Sequence, residues 1–212
     1  MEADASDIEF ANGVFTIAGT DRAMPITEVA KASFRPAGIP AEFGVGLDGI
    51  GAYAAVQPSF PNGCHICEVE IDPDTGTLTL DKYAVVDDIG VVINPMLADG
   101  QIHGGIAQGV GQALTEHVVF DAESGQLMTG SLMDYAMPFA ETLPSFDTEF
   151  HEVPCQSNPI GVKGAGEGGT VGATPAVISA ILDALASLGV TDIGMPATSQ
   201  RIWQAIEKAR HL

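Results

Sequence analysis

Positive charge is what this sequence has least of. Its 212 residues carry eight Lys and Arg against 28 Asp and Glu, a formal net charge of −20. Between Pro36 and Gln200 the only cations are Lys82 and Lys163. Such a surface repels phosphate backbones and anionic bilayers, so neither nucleic acid nor a membrane surface is expected as a partner. Cysteine is scarce too. Cys64, Cys67 and Cys155 are three in number and irregularly spaced. That excludes a disulfide framework and suits a reducing, cytoplasmic location. No unbroken apolar run is long enough to predict a membrane span. The acidic start, MEADASDIEF, lacks the pattern of a secretory signal.

Several chemical signatures are missing as well. His65, His103, His117, His151 and His211 show no H-E-x-x-H spacing, so each reads as structural or exposed, and no metal ligand is expected. Cys64-His-Ile-Cys67 has C-x-x-C spacing but lies in an alternating strand without a second pair. A calcium loop beginning at Asp72 would need Glu where Tyr83 stands, so Asp72 reads as a turn residue. No G-x-S-x-G elbow supports a serine hydrolase.

What is present is a chain with 46% apolar residues, enough to fill a core. Residues 8–18 alternate around Asn12-Gly13, a type I′ hairpin signal. Thr27 is a candidate cap for a helix running to about Phe34. A Pro- and Gly-rich stretch follows, with a sub-boundary at about 35–50, and 51–57 reads as a short strand. Residues 65–72 and 78–88 form a hairpin through the turn Pro73–Gly76. Helices are expected over 97–116, from Thr174 as N-cap with Pro175 at N1, and from about Ser199, where Trp203 would face inward. Gly189 suits a helix stop. Strands are expected around 118–129 and at 146–153. Interspersed elements without a βαβ rhythm make the fold class α+β, with residues 1–212 one portion of a larger domain.

Two segments carry candidate chemistry. The stretch GVKGAGEGGTVGATP, Gly161–Pro175, holds six glycines, with Lys163 and Glu167 among them. Gly164, Gly166 and Gly169 fit G-x-G-x-x-G. Yet no strand leads into the loop, and Glu167 would repel a pyrophosphate at the helix start. Either the glycines let backbone approach backbone, or they admit a ligand beside a positioned carboxylate. The second segment is the helix Asp99–His117. Ile102, Ile106, Val110 and Leu114 mark its core face, while Gly105, Gln108, Gly109 and Gln112 mark another. Interior glycines cost about 1 kcal/mol each. They point to close helix packing or to a cofactor pressed on a bare face, with Gln108 offering its amide. Asp87-Asp88 ends a strand and reads as turn chemistry.

Three ordered stretches resemble one family. VDDIGVVINPMLADGQIHGGIAQGVGQAL (86–114), TGSLMDYAMP (129–138) and NPIGVKGAGEGGTVGATPAVISAILDAL (158–185) are similar to the molybdenum hydroxylases. These are the xanthine dehydrogenase, aldehyde oxidase and aerobic carbon monoxide dehydrogenase enzymes. The likeness is to the C-terminal part of their molybdopterin-binding large subunit, and Phe10–Phe34 looks like the family's preceding segment. The resemblance implies that Glu167 is the catalytic base and that Gln108 contacts the pterin. Gly105, Gly109, Gln112, Lys163, Gly164 and Gly166 would border that cofactor. Lys163 could equally pair with Glu167 or neutralise the acidic surroundings. The implied reaction is oxidative hydroxylation of an aldehyde, an N-heterocycle or CO, with water as oxygen source. The implied cofactor is molybdenum with molybdopterin in the cytosine dinucleotide form. Iron–sulfur clusters and FAD would sit only on partner subunits. Partners would be the remainder of the large subunit, an iron–sulfur subunit and a flavin subunit. The rival expectation is a catalytically inactive module that needs the missing half.

Overall fold

The sequence opens with a three-stranded antiparallel sheet, β1 (Ile8–Ala11), β2 (Val14–Ile17) and β3 (Ala23–Pro25), in that order. Asn12 and Gly13 take φ values of 51° and 77°, the left-handed pair that a type I′ turn requires. Helix α1 (Ile26–Ser33) follows directly. Its N-cap is Pro25, without a side-chain bond, so Thr27 lies inside the helix rather than capping it. Pro25 is the last strand residue, and its fixed φ already points the chain into a first turn. These elements belong to one compact unit, Met1–Ala54. The structure is a computed structural model and describes residues 1, 3–35, 37, 39, 44–55 and 57–211. Part of the Pro- and Gly-rich stretch lies outside the described residues. The strand expected over 51–57 is absent among its described residues.

The second unit, Ala55–Leu212, has its own core. Strands β4 (Asn62–Ile71) and β5 (Leu78–Asp88) form the expected hairpin, with a register shift between Glu68 and Val69. Strand β6 (Phe146–Phe150) pairs parallel to β5. It stops before the expected Val153, whose N–H turns away to the Asp88 carboxylate. Residues 118–129 form a single bridge, Phe120 to Leu127, rather than a strand pair. There the Asp121 side chain bonds Ser124 and closes a local turn.

Helices α2 (Pro95–Leu114), α3 (Gly168–Leu185) and α4 (Ser199–Arg210) complete this unit. Asn94 caps α2 through Leu97 N–H, with Pro95 at the first position. Thr198 caps α4 through Arg201 N–H. The stripes Ile102, Ile106, Val110 and Val177, Ile181, Leu185 are buried together with Ile202 and Ile206. Each such side chain contributes about 1.5–3 kcal/mol. Trp203 is not inward: it stays 41% exposed beside the Pro73–Gly76 turn.

Helix α3 begins six residues before the expected cap, so Thr174 and Pro175 lie inside it. The early turn survives because it packs on α2, and the Thr174 hydroxyl donates to Gly109 O of α2 at 3.3 Å. Gly189, at φ 80°, ends the short 3₁₀ turn that follows α3. Length and composition would let Gly168–Leu188 cross a membrane. In this fold one face of the helix packs on α2 and β4.

Candidate functional site

Helices α2 and α3 touch at a seam made of their smallest residues. A Cβ on Gly105 would lie 2.9 Å from Gly169 Cα, and one on Gly109 would lie 2.7 Å from Ala173 Cβ. Both distances are too short for any side chain, so backbone meets backbone there. Gly105 and Gly109, expected from the resemblance to border the cofactor, are buried, and their face of α2 is filled by α3. The cost of glycine in α2 is offset by the close approach it permits.

Gln108 and Gln112 flank this seam and are exposed. The Thr170 hydroxyl lies 3.1 Å from Gly105 O and 3.2 Å from Gln108 Oε1. The Thr174 hydroxyl lies 3.4 Å from Gln112 Oε1. Each hydroxyl has one hydrogen to share between a backbone carbonyl and the amide oxygen, and these contacts leave the amide NH₂ donors unused. Gln101 donates from Nε2 to Gly166 O at 3.4 Å, tying the glycine loop to the same edge of α2.

The loop before α3 is fastened at one end and open at the other. Lys163 N–H donates to Ile89 O at 2.8 Å, and the Asn158 side chain brackets Val162 through both its N–H and its carbonyl. The Lys163 ammonium is paired with Asp88, and both side chains are largely buried. Of the three roles open to Lys163, the pair it forms is with Asp88 and not with Glu167. Burial would push the Asp88 carboxyl up. The Lys163 bond and the backbone N–H groups of Gly90 and Val153 outweigh it and hold it down at about 2. Asp88 also takes Asn62 Nδ2 at 3.3 Å. By contrast, a Cβ on Gly164 or Gly166 would meet nothing within 4 Å.

Glu167 stands where this open loop becomes α3. It is exposed, its side chain makes no capping bond, and its carbonyl accepts Val171 N–H at 3.0 Å. It lines a cavity of about 370 Å³ together with Phe60, His65, Asp87, Ile89, Gly168 and Val171.

The other wall of that cavity holds residues that the sequence reading passed over. His65 Nδ1 lies 2.8 Å from the Tyr83 hydroxyl, and Nε2 lies 3.4 Å from Asp87 Oδ1. Burial, then the nearby Cys67 and Asp87, raises the Tyr83 phenol above its usual range. The Tyr83 hydroxyl can donate to Nδ1 or accept from it, and Nε2 faces the Asp87 carboxylate, where a ring N–H would donate. Asp87 Oδ2 is buried and has no hydrogen-bond partner. The available signal was VVDD itself. Two adjacent carboxylates ending a strand of core residues cannot both face water, because side chains alternate. Here both are buried, each by a different device.

A family model of the molybdopterin cofactor-binding domain matches residues 1–144, which include α2 but not Glu167. The chain is 34% identical to the carbon monoxide dehydrogenase large chain of Hydrogenophaga pseudoflava, over 98% of this chain and 26% of that one. It is 36% identical to the nicotine 6-hydroxylase large subunit of Paenarthrobacter nicotinovorans, over 97% of this chain and 25% of that one. Quinoline 2-oxidoreductase from Pseudomonas putida 86 superposes with a TM-score of 0.88 at 38% identity, covering 98% of this chain and 26% of that one. The chain thus spans about a quarter of the length of the relatives it matches. Its α+β fold, its sequence and its matched domain place it in one group: the chain belongs to the molybdopterin cofactor-binding family and corresponds to a segment of the large subunit of the molybdenum hydroxylases.

Proposed function

We propose that this chain is the part of a molybdenum hydroxylase that carries the base and one face of the cofactor site. The observation behind this is Glu167, an uncapped and exposed carboxylate at the mouth of a cavity, at the end of a loop whose glycines face open space. Gln108 and Gln112 would offer amide hydrogen bonds to molybdopterin. Gly164 and Gly166 would let it lie against the loop backbone, where any Cβ would intrude. The donor set fits the group: two held amides, bare backbone, and no competing cation, since Lys163 is bound to Asp88. When bound, the cofactor supplies the two-electron redox chemistry. The chain's own contribution is to fix Glu167 at the head of α3 so that its carboxylate takes a proton from the attacking oxygen nucleophile. Lys163, Asn158 and Asp88 hold the loop that aims it.

The reaction follows as oxidative hydroxylation of an aldehyde, an N-heterocycle or CO, with water as the oxygen source. The relatives are named for carbon monoxide, nicotine and quinoline, which fall in two of these classes, CO and N-heterocycles. The cytosine dinucleotide form of the cofactor, an iron–sulfur subunit and a flavin subunit belong to this reading. A second reading is favoured by Leu132 and Met133, 79% and 93% exposed, and by Ile93, Met96 and Phe139. By itself the chain would be an inactive module whose apolar surface is covered by the remainder of the large subunit. Glu167→Gln in the intact enzyme tests the first reading. Turnover should fall by about 10²–10⁴ with molybdenum and pterin content unchanged. Retained turnover would remove Glu167 from the mechanism.

A further inference from the structure

The Glu167 cavity carries more negative charge than a base alone requires. Two of its lining residues are carboxylates, Glu167 and Asp87, and no Lys or Arg is among them. The one cation of the adjoining loop, Lys163, is engaged by Asp88. The Asp87 side chain is only 6% exposed, and its Oδ2 has no partner. A buried carboxylate oxygen left unpaired is costly, so a donor is missing from this site.

The surroundings are built to keep Asp87 there. His65 Nε2 faces Oδ1, and Tyr83, itself buried, fixes the far side of the imidazole. Glycines make the room. A Cβ on Gly63 would collide with Asp87 Oδ1, and a Cβ on Gly172 would collide with the His65 ring. Among the cavity residues, Gly168 lies beside the buried Oδ2: a Cβ there would be 3.6 Å from it. Beside the polar Ser59 and Asn62, the lining has an apolar part, with Ile89, Val171 and the exposed ring of Phe60. Carboxylates at one end and an aromatic face at another describe a receptor for an organic cation.

We propose that this cavity binds a small organic cation whose N–H group hydrogen-bonds to the Asp87 carboxylate. The proposal rests on the reading of Glu167 as an active-site group and narrows its substrate class to nitrogen bases in their protonated form. Asp87 would hold the cationic nitrogen, the apolar walls would hold the carbon skeleton, and Glu167 would remain free to move a proton.

The test measures binding directly, in the intact enzyme with its partner chains, using three planar probes of matched shape: benzamidinium, benzamide and benzoate. Calorimetric titration of the wild type should rank benzamidinium above benzamide and find no binding of benzoate. Asp87→Asn should weaken benzamidinium on the order of tenfold, the effect of one charge-assisted hydrogen bond, and leave benzamide nearly unchanged. If that variant does not fold, Gly168→Ala carries the test. It keeps Asp87 and its partners but lays a methyl group over Oδ2, and it should weaken benzamidinium severalfold. Equal affinity for benzamidinium and benzamide in the wild type overturns the proposal. So does unchanged benzamidinium binding in folded Asp87→Asn, or in Gly168→Ala where Asp87→Asn does not fold. Turnover of Glu167→Gln reports on the base alone, so retained turnover there would overturn the base reading and leave the binding result standing.

Discussion

The two glycine-rich stretches look alike in sequence and do opposite things. In α2, Gly105 and Gly109 vanish into a seam against α3, where a methyl group would strike backbone or Ala173. In the loop before α3, a methyl group on Gly164 or Gly166 would meet nothing within 4 Å. The first pair lets two helices approach closely, and the second leaves the loop backbone open. The boundary between them is Gln101, Gln108 and Gln112, whose amides run along the edge where packed glycine gives way to open glycine. Glycine count alone does not mark a ligand site. What marks it is glycine with no neighbour, beside polar groups that keep unused bonding capacity.

This contrast can be broken by substitution, and the largest effect should come from the loop's anchor. Lys163→Met removes the partner of a buried carboxylate and should destabilise by about 3–5 kcal/mol in a denaturant titration. A loss under 1 kcal/mol would mean that the loop does not depend on the pair. Next is the seam. Gly105→Val should cost about 3 kcal/mol or prevent folding, because Gly169 cannot retreat without unpacking α3. Gly166→Ala should change stability by less than about 0.5 kcal/mol, as expected of an open site. It should instead reduce cofactor retention, read as molybdenum per chain. If Gly105→Val and Gly166→Ala cost the same, the distinction between the two stretches fails.

Smaller effects sharpen the picture. Asp88 titrates low when folded, so its ionised form is favoured by the native state. Stability from this group is complete above its ordinary value of 3.8 and is lost as pH falls towards about 2. Stability followed from pH 5 to pH 2 should decline through that window, and the decline should shrink in Lys163→Met. Last, burial pushes the Cys67 thiol up to about 11, while Cys64 is exposed and Ser157 lowers the thiol of Cys155. At neutral pH, a thiol reagent should label Cys64 and Cys155 before Cys67.

Much of this was legible in the chain. Periodicity placed the core faces of α2 and α3 because a buried stripe must recur with the helical turn. Asn12-Gly13 placed its hairpin because few other residue pairs accept that turn. The start of α3 was misread because Thr174-Pro175 is a strong local helix signal. Packing of Gly169 and Ala173 on α2 overrode it and carried the helix back to Gly168. Trp203 was misplaced because its neighbours Ile202 and Ile206 define the core face of α4, and it falls beside that face. On the site, sequence singled out Glu167 and Gln108, since a carboxylate in a glycine loop and an amide among helix glycines are conspicuous along one stretch of chain.

By itself, then, the sequence determined the class of fold, the acidic surface, the family and the two stretches that carry chemistry. Each of these is written in local pattern, composition or ordered motifs. Tertiary structure decided which glycines are packed and which are open, that Lys163 belongs to Asp88, and that His65 and Asp87 meet in one wall of the Glu167 cavity with Tyr83 behind His65. Those facts join residues from β4, β5 and the head of α3, far apart along the chain. Only the folded backbone brings them within hydrogen-bonding distance.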